Sequence, residues 1–258
     1  MKHPVIGTVK NNRWLTPNIF ELMVAFPDHS MEIKPGQFVE LQCQGNHPVY
    51  LNRPFSPFMI RRQDWYFLIQ NKGKGTNNLS HLQPGDKITM LSPLGKPFLP
   101  PTADNKILLI AGGVGLAPIY YYISHYLPLY PKLSITLLHG TSFEEDKIEL
   151  PGYLDVLQYY FHADQSASQT NSNLFQYYQT LPKIDFDTAF VCGPLPMMRA
   201  FSRYFTKENR IHFVSLEMMM ACGLGFCKGC SISTSDGMKS VCSDGPVFDG
   251  SELDWNLL

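Results

Sequence analysis

Four of the six cysteines, Cys222, Cys227, Cys230 and Cys242, fall in one stretch near the C-terminus, "MMMACGLGFCKGCSISTSDGMKSVCSDGPVF", with the spacing C-x4-C-x2-C-x11-C. Thiolates at this density in an otherwise cysteine-poor chain suit a soft metal, and C-x4-C-x2-C with a distant fourth cysteine is the spacing of plant-type [2Fe–2S] sites. Gly223, Gly225 and Gly229 let the backbone fold tightly and point N–H groups at sulfur. Four thiolates also suit tetrahedral zinc, but such sites usually use two C-x2-C pairs, and only Cys227 and Cys230 make one here. The spacing favours iron–sulfur, with structural zinc as the alternative. A brown chain would mark the first and a colourless chain with one bound zinc the second.

Three further stretches have the residue types to hold a phosphorylated ligand. In "KILLIAGGVGLAP", Gly112, Gly113, Val114 and Gly115 follow an apolar run, so a ligand can approach the backbone and meet N–H groups at a helix start. A ligand-free strand-to-helix turn, with Pro118 at the first helical position, reads equally well, because the pattern is not G-x-G-x-x-G. "TAFVCGPLPMMRAFSRYF" repeats the scheme with a turn at Cys192-Gly193-Pro194. Ligands in open parallel sheets bind outside the carboxyl ends of strands, where both turns would lie. Cys192 there is either a small buried hydrophobe or a nicotinamide contact, and Cys43, in a strand-like run, a small buried hydrophobe. In "LNRPFSPF", Arg53 offers a planar charged fork to a diphosphate and Ser56 a hydroxyl on the same strand, although an exposed arginine beside a core Phe55 is the plainer reading. Pro54 confines that strand to a sheet edge or a ligand-facing position. "GKGTNNLSHL" sets Gly73 and Gly75 before Thr76, as an anion-binding helix start or a hairpin exit with Thr76 as N-cap. His81, His125, His139 and His162 are scattered without ligand spacing and read as structural or solvated; Glu144, Glu145 and Asp146 read as a solvated helix start. No nucleophile–base constellation is visible, which suits a protein whose cofactors carry the chemistry.

These residues need two kinds of scaffold. Residues 1–100 hold short β-branched and aromatic runs ("VIGTVKNNRWL", "IFELMVAF", "GQFVELQCQ", "WYFLIQNK", "DKITMLSPLG") punctuated by Pro35-Gly36, Pro84-Gly85 and Leu94-Gly95, as expected of a small antiparallel barrel. After the linker-like "FLPPTADN", residues 101–210 alternate apolar strands with helical stretches, the pattern of a parallel α/β sheet. Residues 140–185 are the least legible and include a polar loop, "ADQSASQTNSN"; residues 211–258 hold the cysteines and little else. The expected fold class is therefore a β barrel plus α/β, with a small C-terminal metal-binding segment. The 258-residue chain is 44% hydrophobic and 17% charged, with a formal charge of −1, which offers nothing to nucleic acid or an anionic membrane. It has no membrane-spanning run and no secretory h-region, so the expected location is cytoplasmic, where clustered cysteines favour metal over disulfides.

Taken in order, Arg-Pro-x-Ser, Gly-x-Gly-Thr, Gly-Gly-Val-Gly-x-Ala-Pro and Cys-Gly-Pro resemble the ferredoxin–NADP reductase superfamily. With "MACGLGFCKGC…VCSDGPVFDG" appended, the chain resembles end to end the electron-transfer subunits of class 1B dihydroorotate dehydrogenases. The resemblance implies FAD in the barrel, at Arg53, Pro54, Phe55 and Ser56, at Leu68, Ile69 and Gln70, and at Gly75 and Thr76. It implies NAD(H) along Gly112, Gly113, Val114 and Gly115, with the nicotinamide near Cys192, Gly193 and Pro194, and a [2Fe–2S] cluster on Cys222, Cys227, Cys230 and Cys242. It further implies a partner, an FMN-containing catalytic subunit that interconverts dihydroorotate and orotate in pyrimidine synthesis, in a heterotetramer with two of each. Ile69-Gln70 stand where the family often has Tyr-Arg, and Glu217-Met218-Met219-Met220 where it commonly has Glu-x-Arg-Met. The small subunit of a bifurcating NADH-dependent ferredoxin–NADP oxidoreductase has a similar layout and is the alternative. A zinc-stabilised binding module without flavin is the reading from another class.

Overall fold

A computed structural model describes residues 4–27, 32–42, 49–165 and 172–258 of the chain. The first part is a seven-stranded antiparallel sheet of β1 (Pro4–Trp14), β2 (Ile19–Ala25), β3 (Phe38–Leu41), β4 (Arg53–Phe55), β5 (Met59–Arg61), β6 (Asp64–Gln70) and β7 (Lys87–Leu94), in the order β4-β3-β7-β1-β2-β6-β5. Alternation builds its interior: Phe20, Leu22 and Val24 of β2 stand opposite Ile69, Phe67 and Trp65 of β6, and all six are buried in one cluster with Val39 and Leu41. The strands β4 and β5 lie at opposite ends of this order, yet only Ser56, Pro57 and Phe58 separate them in sequence. So short a link spans about 14 Å at most, so the sheet has to curl until its edges meet. At this seam the link is anchored to β6, the Phe58 N–H donating to the Tyr66 carbonyl at 2.8 Å. As Pro54 requires, β4 is an edge strand. Helix α1 (Lys74–Ser80) leaves β6 with Gly73 as its N-cap; Thr76 stands at its third position, where its hydroxyl accepts from the Lys72 and Gly73 N–H groups.

The second sheet contains β8 (Lys106–Gly112), β9 (Ser134–Phe143), β10 (Gln158–Gln165), β11 (Thr188–Cys192) and β12 (His212–Ser215), all parallel, in the order β10-β9-β8-β11-β12. Helices α2 (Leu116–Tyr126), α3 (Leu174–Thr180) and α4 (Leu195–Lys207) cover it. The run Ile107–Ala111 is apolar at every position because both faces are covered: Ile107, Leu109 and Ala111 pack with α2, and Leu108 and Ile110 with α3 and α4. The chain leaves β8 toward β9 and β10, then returns to β11 on the other side of β8. The carboxyl ends of β8 and β11 therefore flank a topological switch point. Pro118 is the third residue of α2 rather than its first, because Gly113–Gly115 forms a 3-10 turn ahead of the helix. A proline in the first helical turn forfeits no intrahelical bond, so the position is equally tolerant.

The C-terminal segment holds more than cysteines. It contains the hairpin β13 (Ser231–Thr234) and β14 (Gly237–Ser240), the short helix α5 (Val241–Asp244) and β15 (Val247–Asp249). Strand β15 joins the parallel sheet antiparallel to β12, pairing Ser215 with Val247 and Phe213 with Asp249. Val241, Cys242 and Phe248 share a core with Phe38 and Leu94 of the barrel, so the segment is wedged between the two sheets. Cys43 and most of the polar loop lie outside the described residues. Among those described, no helix is long and apolar enough to cross a membrane.

Candidate functional site

The turns at the ends of β8 and β11 pack backbone against backbone, which explains their glycines. A Cβ on Gly115 would stand 2.5 Å from the Cys192 carbonyl oxygen, and one on Gly193 2.8 Å from Gly112 Cα. Gly113 differs: its φ is +53° and a Cβ there would meet nothing, because it faces open space. That space is a cleft of about 510 Å³ lined by Gly112–Gly115, Gly193–Met198 and Gly140–Ser142, and reaching Gln70 and Lys72 of the barrel. Cys192 lies behind the cleft wall, 1% exposed, where burial pushes its thiol pKa up. His139, fully buried on β9 next to Gly140, backs onto the Gly113 turn; burial lowers its pKa to about 4 and keeps it neutral. The cleft residues without a role in the sequence reading include all its charged ones, Lys72, Glu217 and Asp164, and Asn173 beside them. Glu217 reaches solvent through the cleft yet is walled by protein on most sides, and this desolvation raises its pKa against the pull of Lys72. Asp164, at the carboxyl end of β10, is also raised by desolvation, with His162 opposing.

At the barrel seam, Ser56 is the first residue after β4. The Arg53 guanidinium donates to the Leu51 and Asn52 carbonyls, at 2.8 and 3.2 Å. Leu68 and Ile69 are 4% and 1% exposed, so they offer a ligand their main chain rather than their side chains. Strand β5 pairs β6 only as far as Tyr66, and among the described residues no strand pairs Leu68–Gln70 on that side. Two strand margins thus keep main-chain groups for a ligand beside the cleft's Gln70.

The four cysteines fall into two pairs. The Cys227 N–H donates to Cys222 Sγ and the Cys242 N–H to Cys230 Sγ, both at 3.4 Å. The Gly225 N–H donates to Cys242 Sγ at 3.1 Å and the Gly229 N–H to Cys227 Sγ at 3.4 Å, so every sulfur receives a backbone N–H. Cys230 and Cys242 are each 2% exposed; Cys222 is half-buried and Cys227 exposed. Among the described residues no three His, Cys, Asp or Glu side chains converge on one metal position. Two sulfur pairs with a donor on each sulfur fit a two-iron centre taking two thiolates per iron better than one tetrahedral zinc. The N–H groups of Cys227 and then Leu224 lower the Cys222 pKa to about 6, while burial, and then the Cys230 thiol, raises that of Cys242 to about 12.

Residues 10–98 match the model of the oxidoreductase FAD-binding domain, and residues 217–254 that of the iron–sulfur cluster binding domain of dihydroorotate dehydrogenase B. The electron transfer subunit of dihydroorotate dehydrogenase B (NAD(+)) from Caldanaerobacter subterraneus subsp. tengcongensis is 31% identical, over 98% of this chain and 99% of its own length. The chain belongs to this family. The electron transfer subunit from Clostridium perfringens is 30% identical, over 96% of this chain and 97% of its own. Among solved structures, a chain of the NADH-dependent reduced ferredoxin-NADP oxidoreductase, described for flavin-based electron bifurcation, superposes with a TM-score of 0.82 at 25% identity over 97% of this chain and 90% of its own. The ferredoxin reductase in carbazole 1,9a-dioxygenase, at 19% identity and a TM-score of 0.68 over 81% of this chain and 66% of its own, shares the fold. As a member of the dihydroorotate dehydrogenase B electron transfer subunits, the chain is an oxidoreductase subunit with an FAD-binding domain and an iron–sulfur binding segment. The expected architecture of β barrel plus α/β stands.

Proposed function

We propose that the chain passes electrons between NAD(H) and the FMN of a dihydroorotate dehydrogenase catalytic subunit, in pyrimidine synthesis and as a heterotetramer with two of each subunit. The observation that carries this reading is the cysteine loop. Its inner pair, Cys230 and Cys242, reaches into the core between barrel and sheet, and its outer pair, Cys222 and Cys227, faces the surface. Around the outer pair stand exposed apolar side chains, Met219 at 91% and Phe226 at 83%, with Leu224 between. An apolar surface around a ligand set is where a partner must sit to receive electrons. Met219 and its neighbours are thus the proposed docking face.

When bound, FAD supplies acceptance of a hydride, two electrons at once, and the [2Fe–2S] cluster exchange of single electrons. The chain's residues hold and orient. Arg53 would turn from the carbonyls of its own loop to the diphosphate of FAD, with Pro54, Phe55 and Ser56 along the seam, Leu68, Ile69 and Gln70 by main chain, and Gly75 and Thr76 at the start of α1. NAD(H) would lie along Gly112, Gly113, Val114 and Gly115, with its nicotinamide at Gly193 and Pro194, held in place by the buried Cys192 beneath. Asp164, beside Thr141, Ser142 and Asn173, would accept hydrogen bonds from ribose hydroxyls and repel a 2′-phosphate. Lys72, the single cation among the described lining residues, stands beside Glu217 instead, so the cleft favours NADH over NADPH.

The test is to purify the complex under anaerobic conditions, identify the co-purifying subunit and assay dihydroorotate-dependent reduction of NAD⁺. An FMN-bearing partner with that activity, and FAD and two irons on this chain, supports the reading. The bifurcating layout is the second reading because of its TM-score of 0.82 over nearly the whole chain. A larger partner rich in iron–sulfur clusters with a second FAD would select it.

A further inference from the structure

Strand β3 is buried on both faces. Val39 and Leu41 enter the barrel core, whereas Phe38 and Glu40 face outward and are covered by the cysteine segment. The Glu40 carboxyl, on a residue only 2% exposed, lies flat against Gly223, where a Cβ would stand 2.5 Å from Oε1 and 3.1 Å from Oε2. Gly223 directly follows Cys222 and has a φ of +61°. On the barrel side, the Asn52 side chain hydrogen-bonds the same carboxyl, and Glu40 is the ladder partner of Pro54 on β4. One carboxyl thus touches both the loop of an outer cysteine and Asn52, the residue that leads into β4.

A glutamate is a costly choice for this contact. Among the described residues its buried Oε1 has no hydrogen-bond partner, which costs free energy that a leucine or methionine would not. Burial pushes its pKa up, with the Asn52 bond acting the other way. What the group has instead is a flat surface held from both sides, which seats a glycine whose Cβ would collide with it.

We propose that Glu40 is a positioning residue for the iron–sulfur loop: through Gly223 it sets where Cys222 stands relative to the FAD-binding strand β4. The proposal rests on the cluster reading above. It is tested on Glu40→Gln, Glu40→Ala, Gly223→Ala and the double variant Glu40→Ala/Gly223→Ala, each isolated anaerobically in complex with the catalytic subunit. Flavin and iron are counted, the electron paramagnetic resonance of the reduced cluster is recorded, and stopped-flow follows flavin bleaching by NADH and cluster reduction separately.

Glu40→Gln keeps the shape and the Asn52 bond, and its resonance should match the wild type. Glu40→Ala and Gly223→Ala should each shift the resonance and slow cluster reduction about tenfold or more, with flavin bleaching unchanged. In the double variant the added methyl occupies vacated space and only the cost of its positive φ, about 1 kcal/mol, remains, so both readouts should move part of the way back toward the wild type. A Glu40→Ala protein with wild-type resonance and cluster reduction overturns the proposal, as does a double variant no better than Gly223→Ala. If Gly223→Ala does not fold, Glu40→Ala decides. An iron-free wild type would overturn the cluster reading and this seat with it, whereas iron-bearing variants with unaltered spectra overturn the seat alone.

Discussion

Asp164 and His139 stand at two depths of the same cleft, one lining it and one behind its wall. At the lining, replacing Asp164 with Ser removes the charge that would oppose a 2′-phosphate. The ratio of kcat/KM for NADPH to that for NADH should rise about tenfold, chiefly through KM for NADPH; an unchanged ratio would move nucleotide selection elsewhere. Behind the wall, the folded pKa of His139 is about 4 against 6.5 for the free side chain. The folded chain therefore binds fewer protons than the unfolded chain between those values. Its contribution is complete above pH 6.5 and is lost as the pH falls toward 4, an acid penalty of roughly 3 kcal/mol. Burial lowers the pKa values of His125 and His212 as well, adding in the same direction. His139→Gln should flatten this limb, read as a smaller drop in denaturant midpoint between pH 7 and pH 4.5; an unaltered drop would assign the limb to the other two. The cysteines were legible in the sequence because their spacing alone brings them together. Asp164, Lys72 and Glu217 were not, because they lie far apart along the chain and meet only after two sheets have folded.

Among the elements, the paired turns after β8 and β11 carry the sharpest expectation. Alanine at Gly115 would press on the Cys192 carbonyl and force the turns apart. The KM for NADH should then rise about tenfold or more with FAD retained, measured by NADH-dependent ferricyanide reduction. Alanine at Gly113 meets no protein atom, but its methyl would enter the space proposed for NAD(H) and its positive φ costs about 1 kcal/mol, so it should also raise the KM while lowering the thermal midpoint less than Gly115→Ala does. Equal thermal midpoints would show that close packing is not what Gly115 serves. Strands such as β2, β6 and β8 were legible because alternation or an unbroken apolar run persists over seven residues. The stretch that became β10 was not, because it is a sheet edge with a mixed burial pattern. Nor were β12 to β15, since three or four residues are too few to display a period.

At the scale of the whole molecule, the barrel, the parallel sheet and the cysteine segment share one core, and the proposed electron path runs past it from cleft to surface. Met219 is 91% exposed beside its outlet, so Met219→Asp should leave folding and NADH-dependent ferricyanide reduction intact. Binding of the catalytic subunit should weaken about tenfold or more, as judged by calorimetry or co-elution, because a charge would be buried at the contact. Retained affinity would place the partner elsewhere. The pairing of β12 with β15 has a separate consequence. It joins the two ends of the iron-holding excursion side by side, Ser215 against Val247, before the excursion begins. The segment is thus a drawstring pouch whose neck is tied to the sheet independently of what it holds. Stripping the iron with a chelator should loosen residues 217–245 to deuterium exchange and leave the amides of β8, β11 and β12 protected. Iron and sulfide added back should then restore the cluster without a refolding step, and loss of protection in β12 on stripping would show that the neck does not hold by itself.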